Sequence, residues 1–461
     1  MEAFDNKTQH NQTKADGTAP ALSPDADLTI PSKGSSTQGT ELEKALNQAL
    51  PAEESQAVKS TPDDHDHGPV VGKFQLHVDL NQVADAKTLN GKQIKRDTSF
   101  RDDLGAKGDY LNPKEGNNVV IGSGDSDVIR GTGRGFNTIT TGTGKDTVIL
   151  GKETTNRVLD FDPGNDRFVL SGLNPRNITI AQGKNPGKGG LDQPLDSVNN
   201  ALVIDKTNGH ILASLPFVKA ADISEKNFAR NTAEANRSLR GLKDQGFKTQ
   251  RGNGKLTGTQ GHDRLIGGGG DDFLYVGDDG FKLNTAKGSG KTEFPFRVDD
   301  TAGTTELTPE LKNGVLRVKG SYKDLEAAPL FSQGEKEIDP KAKILNGSDP
   351  KALIEGFLKV PKDVEGNPIS GTHLHFSPSG DARGSFADAT VVRYFTNTPT
   401  DARSGTISGE FELSPTEQAA LLAGDFYTNL HTNVDVDGDG KAGFPTGENR
   451  INFNRDVVQF T

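Results

Sequence analysis

A glycine-rich repeat with a period of about nine residues is the feature that most restricts what this chain can fold into. Groups of glycines recur every nine to eleven residues after Gly116, and a second block begins at Gly258. Most groups are followed by an Asp or Asn and then by a short aliphatic or aromatic segment. A period this short predicts a coil whose turns stack on one another, with one apolar residue of each turn pointing into a thin core.

The residue types in these units are those that a calcium site needs. Calcium prefers six to eight oxygen ligands from carboxylates and backbone carbonyls, and glycine reaches the backbone conformations that direct several carbonyls to one point. Two units depart from the pattern, because 122–130 carries an extra residue and 131–140 has Asn137 near the Asp position. We predict calcium ligands in the turns of four units: Gly124, Asp125, Asp127; Gly142, Gly144, Asp146; Gly258, Gly261, Asp263; and Gly268, Gly270, Asp272. The alternative is a glycine-rich loop region with incidental acidic residues.

These units resemble the nonapeptide repeat of RTX (hemolysin-type) calcium-binding proteins, and Val158 to Leu173 resembles the segment that closes their roll. The resemblance implies a parallel β-roll with calcium between its turns. It also implies type I secretion without an N-terminal signal peptide, so we expect an extracellular protein. The start of the chain has neither a basic segment nor an apolar run, in keeping with that expectation. The blocks supply about two coils and one coil, too few for either to form a domain alone.

Composition limits the other classes of protein. Hydrophobic residues make up 31% of the chain, charged residues make up 25%, and the net charge is -11. We expect no membrane-spanning segment and no nucleic-acid partner, because the apolar runs are short and the acidic surface repels phosphate. The chain has no cysteine, which excludes disulfides and thiolate chemistry. Whether it is an enzyme is uncertain, and less expected, because it has neither H-E-x-x-H nor G-x-S-x-G.

The pattern along the chain predicts an all-β protein with five regions. These are a mostly disordered N-terminal region 1–115, an RTX-like β-roll with closing strands 116–225, a helical connector 226–250, a second repeat block 251–285, and an antiparallel β-sandwich 294–461. One helix is predicted within the last region. Ser414 and Glu417 form a capping box, Pro415 takes the first helical position and Gly424 ends the helix.

The region 294–461 resembles a CHRD (chordin-type) domain, found in secreted bacterial proteins and animal extracellular antagonists. The resemblance rests on GTHLHF (371–376) and on SGTISGEFELSPTEQAALLAGDFYTNLHT (404–432). It implies a β-sandwich with an extracellular partner that the sequence does not identify. The chain departs from the family at 433–449, where it carries an insertion.

Two further metal sites are predicted in this region. The insertion opens like an EF-hand loop, and Asp435, Asp437, Asp439 and Glu448 could hold a second calcium of non-EF type, with a solvated acidic turn as the alternative. His373 and His375 project from the same face of a strand, and with His431 they could hold zinc or copper. The alternative is that these histidines bond to loops or face solvent.

Two functions therefore compete. The first is a secreted calcium-binding protein with a binding or structural role at the cell surface or in the extracellular matrix. The second is a copper- or zinc-binding protein built on the histidine cluster, with a redox metalloenzyme as one form of this alternative. Calcium is the expected cofactor of the first function, and copper or zinc that of the second.

Overall fold

The structure is a computed structural model that describes residues 76–95, 108–185, 194–230, 247–293, 301–330, 343–344, 370–376, 391–432, 434, 441–442 and 447–461. The chain divides into two compact units, Met1–Ser35 and Ser36–Thr461, and every described residue belongs to the second. Most of the predicted disordered region 1–115 falls outside the described residues, but 84–88 and 110–112 form strands of the roll, so the prediction is wrong for these segments.

The first part of the chain contributes sixteen strands. They are β1 (Ala84–Thr88), β2 (Tyr110–Asn112), β3 (Gly116–Ile121), β4 (Val128–Gly131), β5 (Gly135–Thr140), β6 (Thr147–Leu150), β7 (Thr154–Val158), β8 (Arg167–Leu170), β9 (Ile178–Gln182), β10 (Asn200–Asp205), β11 (His210–Pro216), β12 (Phe228–Arg230), β13 (Lys248–Arg251), β14 (Lys255–Thr257), β15 (Asp263–Ile266) and β16 (Phe273–Tyr275).

The remaining strands and the one α-helix found among the described residues follow. They are β17 (Phe281–Leu283), β18 (Ala286–Ser289), β19 (Thr304–Lys312), β20 (Val315–Lys323), β21 (Lys343–Ile344), β22 (Thr372–Phe376), β23 (Val391–Tyr394), β24 (Thr396–Pro399), β25 (Gly405–Glu412), α1 (Pro415–Ala423), β26 (Phe426–Leu430), β27 (Lys441–Ala442), β28 (Asn449–Phe453) and β29 (Val458–Phe460). Short 3-10 helices occupy Leu80–Gln82, Pro175–Asn177, Ala220–Asp222, Glu225–Asn227 and Gly290–Thr292.

The glycine repeats form a roll of two facing sheets, as predicted. Sheet A has the order β1-β9-β10-β11-β7-β5-β3-β16-β14, and sheet B has the order β12-β8-β6-β4-β2-β15-β13. From β2 to β8 the chain alternates between the sheets and pairs in parallel with the strand of the next coil. One or two apolar residues per strand fill the thin core, as Val120 and Ile139 do from sheet A and Val148 and Leu150 do from β6 of sheet B.

The two repeat blocks join into one roll, and the later block lies in front of the earlier one. β15 pairs in parallel with β2, where Leu265 is opposite Leu111. β16 pairs in parallel with β3, where Leu274 is opposite Val120. Each block thus covers an edge that the other would leave open, which explains how two short blocks build a continuous stack.

The segment after the first block extends the roll. β8 lies within the predicted closing segment and pairs with β6, while β11 pairs in parallel with β7 and carries the antiparallel strands β10 and β9. In the predicted helical connector 226–250, residues 228–230 and 248–250 lie in strands and not in a helix, and residues 231–246 lie outside the described residues.

The C-terminal strands form a nine-stranded sheet with the order β23-β22-β26-β28-β18-β19-β20-β25-β24. Its edge strands β23 and β24 are consecutive in the chain with only Phe395 between them, so the antiparallel sheet is nearly closed on itself. It begins with β18, ahead of residue 294. The all-β fold class is confirmed, and the antiparallel region is this curled sheet. Two small pairs, β17 with β29 and β21 with β27, accompany it.

Helix α1 has the predicted ends. Glu417 N donates to the Ser414 hydroxyl at 3.2 Å, Ser414 N donates to Glu417 Oε2 at 2.7 Å, and Gly424 has φ 84°. The helix lies against β3 and β5 of the roll, where the Thr140 hydroxyl donates to the Ala419 carbonyl at 2.7 Å. Among the described residues, no helix has the length and apolar character needed to cross a membrane.

Close stacking of the coils leads to a first prediction. A Cβ at Gly133 would lie 1.7 Å from the Lys114 carbonyl oxygen, whereas a Cβ at Gly269 would meet only Glu115 Oε1, at 3.9 Å. We expect Gly133→Ala to lower the free energy of unfolding by about 1–3 kcal/mol through overpacking. We expect Gly269→Ala to change it by no more than about 0.5 kcal/mol. Chemical denaturation followed by circular dichroism measures both, and equal losses would contradict the stacking described.

Candidate functional site

A row of aspartates lies at the corner of the roll where the strands of sheet B begin. One residue per coil contributes, in the spatial order Asp263, Asp109, Asp127, Asp146 and Asp166. All five are buried. We call this row the aspartate ladder.

Hydrogen bonds run along the aspartate ladder from coil to coil. The backbone N of Asp263 donates to Asp109 Oδ1 at 2.7 Å, and the N of Asp109 donates to Asp127 Oδ1 at 2.6 Å. The pattern continues from Asp127 N to Asp146 Oδ1 at 2.8 Å and from Asp146 N to Asp166 Oδ1 at 3.0 Å. Each carboxylate therefore fixes the position of the neighbouring coil.

The second carboxylate oxygen usually accepts from the turn that precedes it. Asp127 Oδ2 accepts from Ser123 N at 2.6 Å, and Asp263 Oδ2 accepts from Thr259 N at 2.6 Å. Asp146 differs, because its Oδ2 is buried and has no hydrogen-bond partner. In its turn Gly142 N donates to Asp160 Oδ2 instead, at 3.0 Å.

Burial disfavours charge on the aspartate ladder. Loss of solvent is the largest cause that raises the pKa of Asp109 to about 6, of Asp166 to about 7 and of Asp146 to about 10. Burial also raises the pKa of Asp127 well above its usual range, and the Asp109 charge adds to the effect. A row of carboxylates in this state needs either protons or a bound cation to be stable.

The opposite corner, where sheet A begins, carries mostly amides. Asp272 N donates to Asn118 Oδ1 at 2.9 Å, Asn118 Nδ2 to Asn137 Oδ1 at 3.0 Å, and Asn137 Nδ2 to Asn156 Oδ1 at 2.8 Å. Asn137 is therefore a member of an uncharged ladder, which accounts for the departure of its unit from the repeat pattern. Only the Asp272 end of this corner is acidic, and burial raises the pKa of Asp272.

The predicted turn glycines fall into two groups: some have a left-handed backbone conformation, and the others lie so close to neighbouring chain that a side chain would not fit. Gly142, Gly144, Gly261 and Gly270 have φ of 95°, 129°, 96° and 97°, the left-handed region that glycine tolerates. Asp125, by contrast, is exposed and lies outside the aspartate ladder. The other predicted glycines sit close to neighbouring chain: a Cβ at Gly124 would lie 2.9 Å from Thr461 O, at Gly258 2.8 Å from Val276 O, and at Gly268 1.5 Å from Asn253 Oδ1.

The three predicted histidines come together on one face of the curled sheet. His373 and His375 lie on β22, and His431 follows β26, the strand paired with β22. One ring nitrogen of each lies within 4.8 Å of those of the other two, and all three side chains are buried. Among the described residues this histidine trio is the group of three or more His, Asp or Glu side chains close enough to share one metal ion.

The predicted calcium loop is only partly described. Asp435, Asp437 and Asp439 lie outside the described residues. Glu448 is fully buried, and its oxygens accept from Glu326 N at 3.0 and 3.1 Å and from the Thr432 hydroxyl at 3.0 Å. Burial raises the pKa of Glu448 to about 7. Its described contacts tie the end of the insertion to the sheet.

Sequence reasoning missed three acidic residues of the roll. Asp109 and Asp166 belong to the aspartate ladder, and Asp160 accepts hydrogen bonds from Thr141 N and Gly142 N. The signal for the first two was present, since both are followed after one residue by an apolar side chain, Leu111 and Phe168. Their turns lack the full glycine pattern.

Comparisons of the chain with protein-family models, curated proteins and solved structures gave no match.

The pKa shifts predict an unusual pH dependence in the absence of metal. Between about pH 4 and pH 7 the folded protein retains protons that the unfolded chain has released, because Asp109 and Asp166 titrate at about 6 and 7. The free energy of unfolding should then fall as the pH rises, by at least about 1.4 kcal/mol per pH unit, the slope of one linked proton. Urea denaturation in chelator across this range measures the slope.

Two variants test whether the aspartate ladder causes this slope. Asp146→Asn removes one buried titrating group and its repulsion of Asp127 and Asp166, so it should flatten the slope. Asp125→Asn removes an exposed carboxylate outside the ladder, whose charge is the smallest of the causes that act on the pKa of Asp109, and it should change the slope far less. Identical slopes in the two variants would assign the pH dependence to other groups.

Proposed function

We propose that this chain is a calcium-binding protein of the RTX type whose roll is held together by calcium. The observation that carries the proposal is the aspartate ladder. Its carboxylates are buried in a row at one corner, and the groups that donate hydrogen bonds to their oxygens are neutral N–H and hydroxyl groups. A cation at this corner would offset the repulsion between the carboxylates and would let them ionise at neutral pH.

The donor chemistry favours calcium among the common cations. The turns offer carboxylate and backbone carbonyl oxygens, and the left-handed Gly142 and Gly144 turn the chain sharply beside Asp146. Calcium accepts irregular sets of six to eight oxygens, whereas magnesium demands a near-octahedral set. The buried Asp146 Oδ2, without a hydrogen-bond partner, is the oxygen that such an ion would use first.

The role we propose is binding or structural, outside the cell. Calcium is plentiful there, and the resemblance to secreted RTX proteins and to CHRD domains supports that location. The roll would act as a rigid base for the curled sheet, which contacts it through α1. A second calcium in the insertion, bound by Asp435, Asp437 and Asp439, belongs to the same proposal. Glu448 would support that loop from inside the sheet through Glu326 and Thr432.

The second candidate function is binding of a transition metal, and a separate observation favours it. The ring nitrogens of the histidine trio lie within 4.8 Å of one another in a buried position. Imidazole nitrogen is a preferred ligand of copper and zinc and a poor ligand of calcium. The two functions are compatible, because the roll and the histidine trio use different residues.

Calcium dependence is tested on the full chain. In excess chelator at pH 7 we expect the thermal midpoint to fall and the strand signal in circular dichroism to decrease, and calcium should restore both. Calorimetric titration then gives the affinity. A spectrum and a thermal midpoint that do not change in chelator would contradict the proposal.

Neighbouring aspartates at the acidic end of the opposite corner, another of the predicted calcium positions, provide a matched pair of variants. Asp272 is buried and accepts from Gly254 N and Gly268 N, whereas Asp271 is exposed and accepts from Asn117 N. Asp272→Asn keeps a side chain that the same corner already uses at Asn118, but it removes the charge. It should weaken calcium binding by about tenfold or more, about 1.4 kcal/mol. Asp271→Asn should have little effect, and equal losses would indicate non-specific attraction of the ion.

A further inference from the structure

The backbone holds the histidine trio together before any ion is present. Leu330 N donates to the His431 carbonyl, His431 N donates to the Gly371 carbonyl, and Gly371 N donates to the Leu330 carbonyl, each at 2.8 Å. A Cβ at Gly371 would lie 2.7 Å from Leu330 O and 2.8 Å from His431 O, so this close approach requires glycine. Three separate segments of the chain are thereby fixed beside β22.

One histidine has its tautomer set by the protein. His373 Nδ1 lies 3.1 Å from the carbonyl oxygen of Ser370. A carbonyl can only accept a hydrogen bond, so Nδ1 carries the proton and Nε2 keeps its lone pair. Ser370 is held in turn, because its hydroxyl accepts from Thr372 N at 3.1 Å and from Asn397 Nδ2 at 3.2 Å. This arrangement, a ring N–H donated to a carbonyl, is the usual support of a metal-binding histidine.

Stacking fixes the other rings. The rings of His373 and His431 are stacked with centroids 4.9 Å apart, and the ring of His375 is stacked on Tyr427 at 4.6 Å. The guanidinium of Arg450 lies 3.7 Å from the centre of the Tyr427 ring. Imidazoles held in this way lose little freedom when they bind an ion, which favours tight binding.

Charge and burial together select the ion. The trio offers three neutral imidazoles without a carboxylate among them, and the side chains of its members are 1%, 8% and 2% exposed. An ion here keeps its full charge in a poorly solvated place, at a cost that grows with the square of the charge. Zinc with three protein ligands also needs a water in the fourth position. Copper(I) has half the charge of zinc(II) and is satisfied by three ligands.

We propose that His373, His375 and His431 form a three-coordinate site that binds copper(I) in preference to zinc(II). The inference rests on the second candidate function and adds the identity and charge of the ion. It makes the curled sheet a copper-binding module carried by the roll. The roll's own ion would be a hard divalent cation held by oxygen.

The experiment uses the full chain with calcium present and oxygen excluded. Copper(I) is titrated in competition with bicinchoninate, and zinc(II) in competition with a chromophoric chelator. We expect one equivalent of copper(I) to bind, with an affinity at least about 100-fold above that for zinc(II). X-ray absorption of the copper(I) form should show three nitrogen ligands.

Two single variants test the ligands directly, and a third is the control. His373→Gln and His431→Gln should each weaken copper(I) binding by about 100-fold or more. His77→Gln is the matched control, because His77 and His210 form another stacked pair, with ring centroids 5.0 Å apart, in the roll. It should bind copper(I) like the unaltered chain. Circular dichroism and the calcium affinity of each variant check that its fold is intact.

The possible failures are distinguishable. Zinc(II) binding as tightly as copper(I) at the trio would overturn the choice of ion and leave the second candidate function standing. No binding of either metal by the unaltered chain would overturn both. Equal weakening in His77→Gln, or a copper(I) spectrum with oxygen or fewer than three nitrogen ligands, would overturn the assignment to these residues. None of these results bears on calcium binding by the roll.

Discussion

The roll depends on a row of buried carboxylates, one per coil, that bond to the backbone of the coil in front. These bonds set the register of the stack, since each Asp amide donates to the next Asp, as Asp127 N does to Asp146 Oδ1 at 2.8 Å. The same closeness makes the row repulsive once it is ionised. The thin apolar core between sheets A and B therefore cannot be the sole source of stability, and the balance of charge at one corner governs the whole stack.

The curled sheet is joined to that corner. Arg455, which follows β28, donates to Asp160 Oδ2 at 2.8 Å and to the Gly142 carbonyl at 3.1 Å. The side chain of Asp160 is buried, and it takes the turn hydrogen bonds that Asp146 does not take. A single guanidinium thus links a turn beside the aspartate ladder to the antiparallel module. An ion or proton that orders this turn would therefore also order the part of the roll that contacts the curled sheet.

The sequence predicted what short-range patterns control. The Asp-x-apolar period predicted the strands of the roll, and Ser414, Glu417 and Gly424 predicted both ends of α1, because caps and inward residues act locally. Alternation along a strand placed His373 and His375 on one face, but only the register of β22 with β26 brings in His431. The spatial order of the two repeat blocks could not be predicted from the sequence, because parallel coils of one type can stack at either end of a roll. Asp109 and Asp166 were missed because their turns carry only part of the glycine pattern: Gly164 precedes Asp166 at the repeat spacing, but Asp162 stands where the earlier glycine of the unit is expected.

The inverted order of the blocks has a consequence for how the roll assembles. Within the first block, ladder contacts join residues 18 to 20 apart, such as Asp127 and Asp146, whereas the junction from Asp263 to Asp109 spans 154 residues. Closing the longer loop costs about 2 kcal/mol more in chain entropy. Nonlocal parallel pairing of this kind is also slow. Until β15 and β16 arrive, β2 and β3 present open parallel edges that can pair with other chains. The segment after residue 260 therefore acts as an internal cap of the roll. A chain truncated before this segment would keep an open strand edge that can pair with other chains.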